Sequence, residues 1–161
     1  MIGAFQGSDY GLLAVILVLL VFLIFLSVAE MGLSQMTKPK AAAMAEAGLK
    51  QGRALKELVD QPERWVNPLL LSVNVCQTVQ ATLTGVVAGR AFGPVGVVVG
   101  VVVNVIVFFV LAEAVPKTYA VLYPERAAMA TARGTRLLVT FAPLRMVSGW
   151  RSEEHTSELQ S

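Results

Sequence analysis

The stretch YGLLAVILVLLVFLIFLSVAEMGL, residues 10–33, decides the fold of this chain, because it contains a single charged residue, Glu30. A second stretch, residues 91–112, contains no charged residue. At about 1.5 Å per helical residue, runs of this length are sufficient to cross the hydrocarbon core of a bilayer, which is about 30 Å thick. The two stretches therefore predict membrane-spanning helices rather than the core strands of a soluble protein.

The composition of the whole chain agrees with a membrane protein. Of its 161 residues, 55% are hydrophobic and only 15% are charged, whereas soluble domains contain about one quarter charged residues. This composition excludes a soluble enzyme, a disordered chain and a secreted disulfide scaffold. The one cysteine, Cys76, lies in an apolar stretch and provides neither a disulfide framework nor a thiolate metal cluster.

The last eleven residues, RSEEHTSELQS at 151–161, differ abruptly from the sequence before them. They resemble the translation of a common sequencing adapter, and we interpret them as a non-native tail that takes no part in the fold. The alternative is a short genuine polar tail; in either case His155 has no expected role. Leaving out Arg151 and the three glutamates of this segment raises the formal charge from +2 to +4.

We predict an all-α membrane protein with three transmembrane helices, at about 10–33, 65–89 and 95–123. The turn between the last two, around Gly93 and Pro94, is so short that these helices must be antiparallel. A signal peptide is the alternative for the first helix. No Lys or Arg precedes that apolar run, however, and it is longer than the usual apolar region of a signal peptide.

Two further helical elements are expected outside the bilayer core. Residues 38–62 predict a helical hairpin beside the membrane, with Gly48 as the C-cap of its first helix. Residues 127–150 predict an interfacial amphipathic helix, broken near Pro143, rather than a fourth span. Together these elements form one transmembrane domain over residues 1–150.

The basic residues predict the orientation of this domain in the plasma (inner) membrane. One group lies between the first two spans: Lys38, Lys40, Lys50, Arg53, Lys56 and Arg64. Another accompanies or follows the end of the third span: Lys117, Arg126, Arg133, Arg136 and Arg145. Only Arg90 is left for the opposite side. By the positive-inside rule, the N-terminus lies outside, and both the 34–64 segment and the C-terminal part are cytoplasmic.

Ionisable groups inside a span cost several kcal/mol and usually face a cavity or a partner. Glu113 is followed by Pro116, which has no N–H to donate to the carbonyl of Ala112. This leaves a free carbonyl oxygen beside a carboxylate. Oxygen ligands of this kind suit a hard cation such as Mg²⁺.

Polar residues on three helices reach a similar depth. Ser27, Asn74 and Glu113 each lie ten or eleven residues inside the cytoplasmic boundary of their span, which is about 15 Å, near the midplane where transporters place ion sites. These three are the main candidate ligands. The less certain candidates are Ser72, Gln77, the Ala112 carbonyl and Glu30. Pro116 and Lys117 are assigned to a kink or gate, and Gly85, Gly89, Gly96 and Gly100 to helix packing.

Each of these polar residues also has a structural interpretation. The Ser27 hydroxyl could bond to its own helix. Asn74 and Gln77 could join helices by hydrogen bonds worth about 1 kcal/mol. Glu30 lies nearer the cytoplasmic surface and could pair with a lysine of the hairpin.

The sequence resembles the transmembrane domain of the CNNM/CorC family of magnesium transporters, also called hemolysin-like. The motifs that carry the resemblance are FLSVAEMGLS at 25–34, DQPERWVNPLLL at 60–71 and LAEAVPKTYAVLYPE at 111–125. The last contains a Glu-x-x-Pro-Lys signature and is the most specific. The resemblance covers residues 10–150.

This resemblance implies that Ser27 and Glu113 bind a largely dehydrated Mg²⁺. The second span departs from the family pattern, because Ser72 and Val73 stand where the family has Gly-Asn, and Gln77 replaces a second asparagine. The resemblance also implies a homodimer and a following cytoplasmic pair of CBS modules that bind ATP. Those modules are missing from this sequence.

We therefore expect transport of Mg²⁺ or a related divalent cation, in the direction of export, through a midplane site that opens to the cytoplasm. Moving two charges outward costs about 4.6 kcal/mol per 100 mV, so export requires a coupled ion, with Na⁺ entry as the candidate. The alternative is a non-transporting dimeric anchor or sensor that regulates another Mg²⁺ transporter. No enzymatic activity is expected, since Ser27 has no histidine or other base at a suitable spacing, and no nucleic-acid partner is expected.

Overall fold

The computed structural model describes residues 7–140 and contains only helices and short connections over that range. The elements are α1 (Gly7–Ser34), α2 (Lys38–Glu46), α3 (Gly52–Asp60), α4 (Glu63–Phe108), a π-helical segment (Phe109–Ala114), α5 (Val115–Leu122) and α6 (Pro124–Thr140). The all-α prediction is confirmed for these residues. The second half of the predicted interfacial helix, with Pro143, and the tail at 151–161 lie outside the described residues.

Two helical stretches within residues 7–140, Asp9–Ser34 and Glu63–Leu122, are long and apolar enough to cross a membrane. In their most apolar windows only 22% and 17% of the residues are buried within the chain. A core helix of a soluble protein would be mostly buried, whereas here valines such as Val95 and Val98 are 74% and 66% exposed. Such contiguous exposed apolar surface is typical of a lipid-facing helix.

The chain forms two compact units, which we describe separately. The first unit contains the described residues up to Ser27 together with Val73–Thr118. The second contains Val28–Ser72 and the residues from Tyr119 onward. The charged residues of the first unit, over its described part, are Asp9, Arg90, Glu113 and Lys117.

In the first unit, α4 is a hairpin rather than one continuous rod. Gly93 has φ 70° and ψ −161°, which is not helical and is accessible mainly to glycine. The side chains of Gln80 and Asn104 nevertheless form a hydrogen bond, although in a straight helix they would be about 36 Å apart. The chain therefore reverses at Gly93. The reversal lies within the predicted turn around Gly93 and Pro94, and Gly93 is the residue of α4 with a non-helical backbone conformation.

Small residues allow the two arms of this hairpin to approach closely. A Cβ built on Gly100 would lie 2.5 Å from the Ala88 Cβ, and one on Gly89 would lie 2.9 Å from Val97 Cγ2. Gly96 is equally crowded, since its Cβ would lie 2.6 Å from the Ala88 carbonyl oxygen. Gly85 differs, because a Cβ there would meet nothing within 4 Å. Its spacing to Gly89 therefore does not reflect packing within the hairpin.

A buried polar network joins the same two arms. The Gln80 side chain is 2% exposed and that of Asn104 is 8% exposed. The Gln80 amide donates to Asn104 Oδ1 and, at 3.0 Å, to Thr84 Oγ1. Since a buried amide without partners would be costly, this network stabilises one register of the hairpin over others.

The start of α1 is fixed to the end of the first hairpin arm by an ion pair. Arg90 Nη1 lies 3.0 Å from Asp9 Oδ1. The Asp9 side chain is 7% exposed and the Arg90 side chain is 54% exposed. Asp9 lies in the first turn of α1, where a negative charge is also favoured by the helix dipole.

In the second unit, α3 packs against both α2 and α6. Leu55, Leu58 and Val59 of α3 are buried, as expected from their helical spacing. The turn between α2 and α3 uses Gly48, whose φ of 71° places it in the left-handed C-cap conformation that its sequence position predicts. A Cβ on Gly52 would lie 2.6 Å from the Met44 carbonyl oxygen, so α2 and α3 are in close contact.

Close helix contact recurs between the end of α1 and the start of α6. A Cβ on Gly32 would lie 2.9 Å from both the Ala127 Cβ and the Ala128 backbone nitrogen. Ala127, Ala128 and Ala132 are fully buried. Surface ion pairs accompany this packing, with Lys40 Nζ 2.6 Å from Glu125 Oε1 and Lys56 Nζ 4.0 Å from Asp60 Oδ2.

Candidate cation site

The candidate site is built on an irregularity in the second arm of the hairpin. Residues Phe109–Ala114 are π-helical, and the Val115 N–H donates to the Val110 carbonyl, five residues back. Pro116 follows directly, is buried and has no N–H to donate. π-Helical turns of this kind occur frequently at functional sites, because they change the direction of backbone carbonyls.

The Ala112 carbonyl accepts a hydrogen bond from outside its own helix. Ser27 Oγ of α1 lies 2.5 Å from this oxygen, and both residues are 2% exposed. The sequence predicted that Pro116 would deprive this carbonyl of its helical partner, and the structure supplies the Ser27 hydroxyl in that place. The Ser27 side chain therefore does not bond back to its own helix.

The neighbouring carboxylate faces the first arm of the hairpin. The Gln77 side-chain amide donates to Glu113 Oε1, and both side chains are half-buried. Because a carboxylate only accepts, the Gln77 NH₂ group must point at Glu113 and its carbonyl oxygen must point elsewhere. The Ala112 carbonyl is thus held by Ser27 of α1, and the adjacent Glu113 carboxylate is held by Gln77 of α4.

These groups offer several oxygen atoms and one negative charge. The described residues contain no cluster of three or more His, Cys, Asp and Glu side chains. A site with one carboxylate and neutral hydroxyl, amide and carbonyl oxygens suits a hard cation. It would also bind that cation less tightly than an acidic cluster would, which is compatible with release on the far side of a membrane.

The remaining candidate ligands make further contacts. Asn74 is exposed on the first arm, and its backbone carbonyl accepts the Thr78 hydroxyl at 2.8 Å. Ser72 and Glu30 belong to the second unit, where the Ser72 hydroxyl donates to the Pro68 carbonyl at 2.8 Å. The structure thus joins Ser27 to the Ala112 carbonyl and Gln77 to the adjacent Glu113, and the assignment of Asn74, Ser72 and Glu30 as ligands stays a prediction.

Two aspects of the site were underestimated from the sequence. Gln77 was a secondary candidate, although it is the residue that contacts Glu113. Gln80 and Asn104, which join the two arms of the hairpin, were not among the predicted site residues. The available signal was the series Gln77, Gln80 and Thr84, which recurs at helical spacing in an otherwise apolar arm.

Comparison with known proteins agrees with this architecture. The family model described as the cyclin M (CNNM) transmembrane N-terminal domain matches residues 14–153. A relative, the UPF0053 inner membrane protein YfjD of Escherichia coli strain K12, is 29% identical over 104 residues, which is 65% of this chain and 24% of that protein. The chain therefore spans about a quarter of the length of this relative.

Proposed function

The chain belongs to the cyclin M (CNNM) family of transmembrane domains, and from this premise we propose that it carries Mg²⁺ or a related divalent cation across the membrane. The observation that carries the proposal is the set of oxygen atoms on α1 and the α4 hairpin around Glu113. A mid-helix carboxylate is costly in a bilayer and is a functional residue by default. In this chain Glu113 directly follows Ala112, whose carbonyl lies in the π-helical turn before Pro116 and accepts a hydrogen bond from Ser27.

In this proposal the cation binds to the Glu113 carboxylate, the Ala112 carbonyl and the Ser27 hydroxyl. Mg²⁺ takes six oxygen ligands and loses its waters reluctantly. Protein oxygens held in place by neighbouring helices lower the cost of replacing those waters. Ser27 would give up its hydrogen bond to Ala112, and both oxygens would then be available to the cation.

Gln77 acts as a switchable ligand. Its amide N–H now satisfies the Glu113 carboxylate, and a cation at that carboxylate would repel the NH₂ group. Rotation of the terminal amide by about 180° would present the carbonyl oxygen instead. Gln77 thus stabilises Glu113 before the cation arrives and contributes an oxygen afterwards.

We further propose that the membrane is crossed three times, by α1 and by the two arms of the hairpin that turns at Gly93. The direction would be export toward the outside, with the site open to the cytoplasm. Because two charges moved outward cost about 4.6 kcal/mol per 100 mV, a coupled ion such as Na⁺ must move inward. A homodimer and an ATP-binding CBS pair that follows this domain complete the proposal.

The test is divalent flux into vesicles that contain the purified full-length protein. We expect Glu113→Gln to abolish saturable Mg²⁺ flux and Gln77→Leu to weaken Mg²⁺ affinity by about 10- to 100-fold, as the loss of a supporting ligand does. Glu46→Gln, which removes an exposed carboxylate of α2, is the matched control and should behave as wild type.

The outcomes separate the two functions. Wild-type protein that binds Mg²⁺ without moving it would favour the non-transporting sensor. Flux that is equal in wild type and Glu113→Gln would show that the site is wrongly assigned.

A further inference from the structure

The second unit contains a cavity that the cation site does not use. Its volume is about 290 Å³, near the lower end of the range for small-molecule pockets. It is lined by Glu57, Leu58, Gln61, Arg64, Arg136, Val139 and Thr140. The wall thus combines two guanidinium groups and one carboxylate with two aliphatic side chains.

The charges of this cavity do not cancel. Arg136 Nε lies 3.1 Å from Glu57 Oε2, so one guanidinium is paired. Arg64 is exposed; its backbone N–H donates to the Gln61 carbonyl at 3.2 Å, but its guanidinium has no hydrogen bond or ion pair with any residue in the range 7–140. One positive charge is therefore available to a ligand, and the planar guanidinium suits the oxygens of a phosphate.

The position of Arg64 in the fold indicates where the ligand comes from. Arg64 is the second residue of α4, at the point where the long apolar stretch begins. The next residue, Trp65, is 3% exposed, and its indole N–H donates to the Leu58 carbonyl at 2.9 Å. Trp65 thus fixes the start of α4 against α3, and an arginine at the end of an apolar helix is typical of the membrane–water interface, which is the depth of lipid phosphates.

We propose that this cavity binds the phosphate of an anionic phospholipid from the adjoining leaflet. The Arg64 guanidinium contacts the phosphate oxygens, and Leu58 and Val139 contact the apolar part that follows the headgroup. Basic pockets beside membrane helices recognise anionic lipids by this combination of charge and apolar surface. The inference rests on the membrane location of α4 and is independent of the transported ion.

Native mass spectrometry of the full-length protein, released from micelles that contain phosphatidylglycerol or phosphatidylcholine, tests this proposal. We expect retention of phosphatidylglycerol in preference to phosphatidylcholine. Arg64→Gln should weaken that retention about fivefold, the effect of one basic residue at a membrane surface. Glu57→Gln should strengthen it, because the competing carboxylate is removed. Arg53→Gln, at an exposed arginine of α3 that does not line the cavity, is the matched control.

Three results would overturn the proposal. Equal losses in Arg64→Gln and Arg53→Gln would indicate general attraction between the basic surface and anionic lipid. Displacement of the lipid by excess inorganic phosphate would indicate a site for free anions. A lower melting temperature of Arg64→Gln in lipid-free detergent, without any lipid preference in wild type, would indicate that the chain following Thr140 fills the cavity.

Discussion

Glu113 is a carboxylate in the middle of an apolar arm, and its hydrogen bonds make this position tolerable. The Gln77 amide donates to it without adding a positive charge, so the negative charge remains available to a cation. The adjacent Ala112 carbonyl is held by Ser27 at 2.5 Å. Both arrangements use neutral donors that a cation could replace, as the proposed transport site requires, whereas a permanent ion pair would already occupy the carboxylate.

The sequence predicted Glu113, Ser27 and the Ala112 carbonyl but did not rank Gln77 above Asn74. The two residues are three positions apart, which is about 60° around a helix and about 4.5 Å along it. Which of them faces Glu113 depends on where the hairpin turns, since a shift of the turn by one residue rotates the next arm by about 100°. Sequence spacing alone does not resolve such a small rotation.

Gly32 provides a residue-scale prediction about stability. Gly32→Ala adds a Cβ that would lie 2.9 Å from the Ala128 backbone nitrogen, and a backbone atom cannot move aside as a flexible side chain can. We expect a loss of about 1–3 kcal/mol, typical of overpacking. Thermal unfolding of the purified protein in detergent measures it.

Gly11→Ala is the matched control for Gly32→Ala. Both glycines lie in α1, but a Cβ on Gly11 would meet nothing within 4 Å. This variant should be neutral or slightly stabilising, because alanine favours the helix. Equal melting temperatures for the two variants would contradict close packing of α1 on α6.

At the scale of elements, the hairpin of α4 could be predicted from the sequence, whereas the π-helical segment could not. The apolar runs predicted helices, and the short connection predicted an antiparallel pair. The predicted turn contains Gly93, which supplies the conformation needed for reversal, and the adjacent residues continue their helices. The π-helical turn was not predicted, since Pro116 indicates a break in hydrogen bonding but not how the preceding turn will rearrange.

Pro116→Ala tests whether this irregular turn serves the cation site. Alanine restores an N–H that competes with the Ser27 hydroxyl for the Ala112 carbonyl. We expect slower hydrogen–deuterium exchange over residues 109–117, because a regular helical bond forms, together with reduced Mg²⁺ flux in vesicles.

Pro124→Ala is the appropriate comparison for Pro116→Ala. Pro124 is the first residue of α6, where a helix requires no internal N–H donor. Its exchange pattern and flux should resemble those of wild type. If Pro116→Ala also retained full flux while its exchange slowed, the π-helical turn would have no part in ion binding.

At the scale of the whole molecule, charge is divided between the two units. The described part of the first unit has few charged residues, and they occur in or beside polar contacts such as Asp9–Arg90 and Gln77–Glu113. The second unit carries the basic residues of α2, α3 and α6. These basic residues are the ones that the positive-inside rule assigns to the cytoplasm, and that orientation stays a prediction.

The proposed orientation predicts which positions reagents can reach. In a Cys76→Ser background, a membrane-impermeant maleimide should label Val95→Cys in intact cells. Lys50→Cys should react only after the cells are permeabilised, because the proposed orientation places residues 38–62 in the cytoplasm. In sequence, residue 50 precedes the first arm of α4 and residue 95 follows it. The reversed labelling pattern would show that the orientation is the opposite of the proposed one.

The proposed homodimer predicts a role for Gly85, in the first arm of the α4 hairpin. A Cβ on Gly85 would meet nothing within 4 Å, and the nearby Thr82 and Val86 are exposed. A small residue on an exposed apolar helix allows a second helix to approach closely. Gly85→Leu should therefore weaken association about tenfold, measured by cross-linking and light scattering in detergent.

Gly11→Leu controls for the effect of a large side chain on a lipid-facing helix. A Cβ on Gly11 would also meet nothing within 4 Å. Gly11 lies near the start of α1, however, in a different helix from Gly85. The dimer should persist in this variant. Equal dissociation in both variants would mean that leucine destabilises the protein as a whole, and dimers that persist in Gly85→Leu would place the contact between copies on another face.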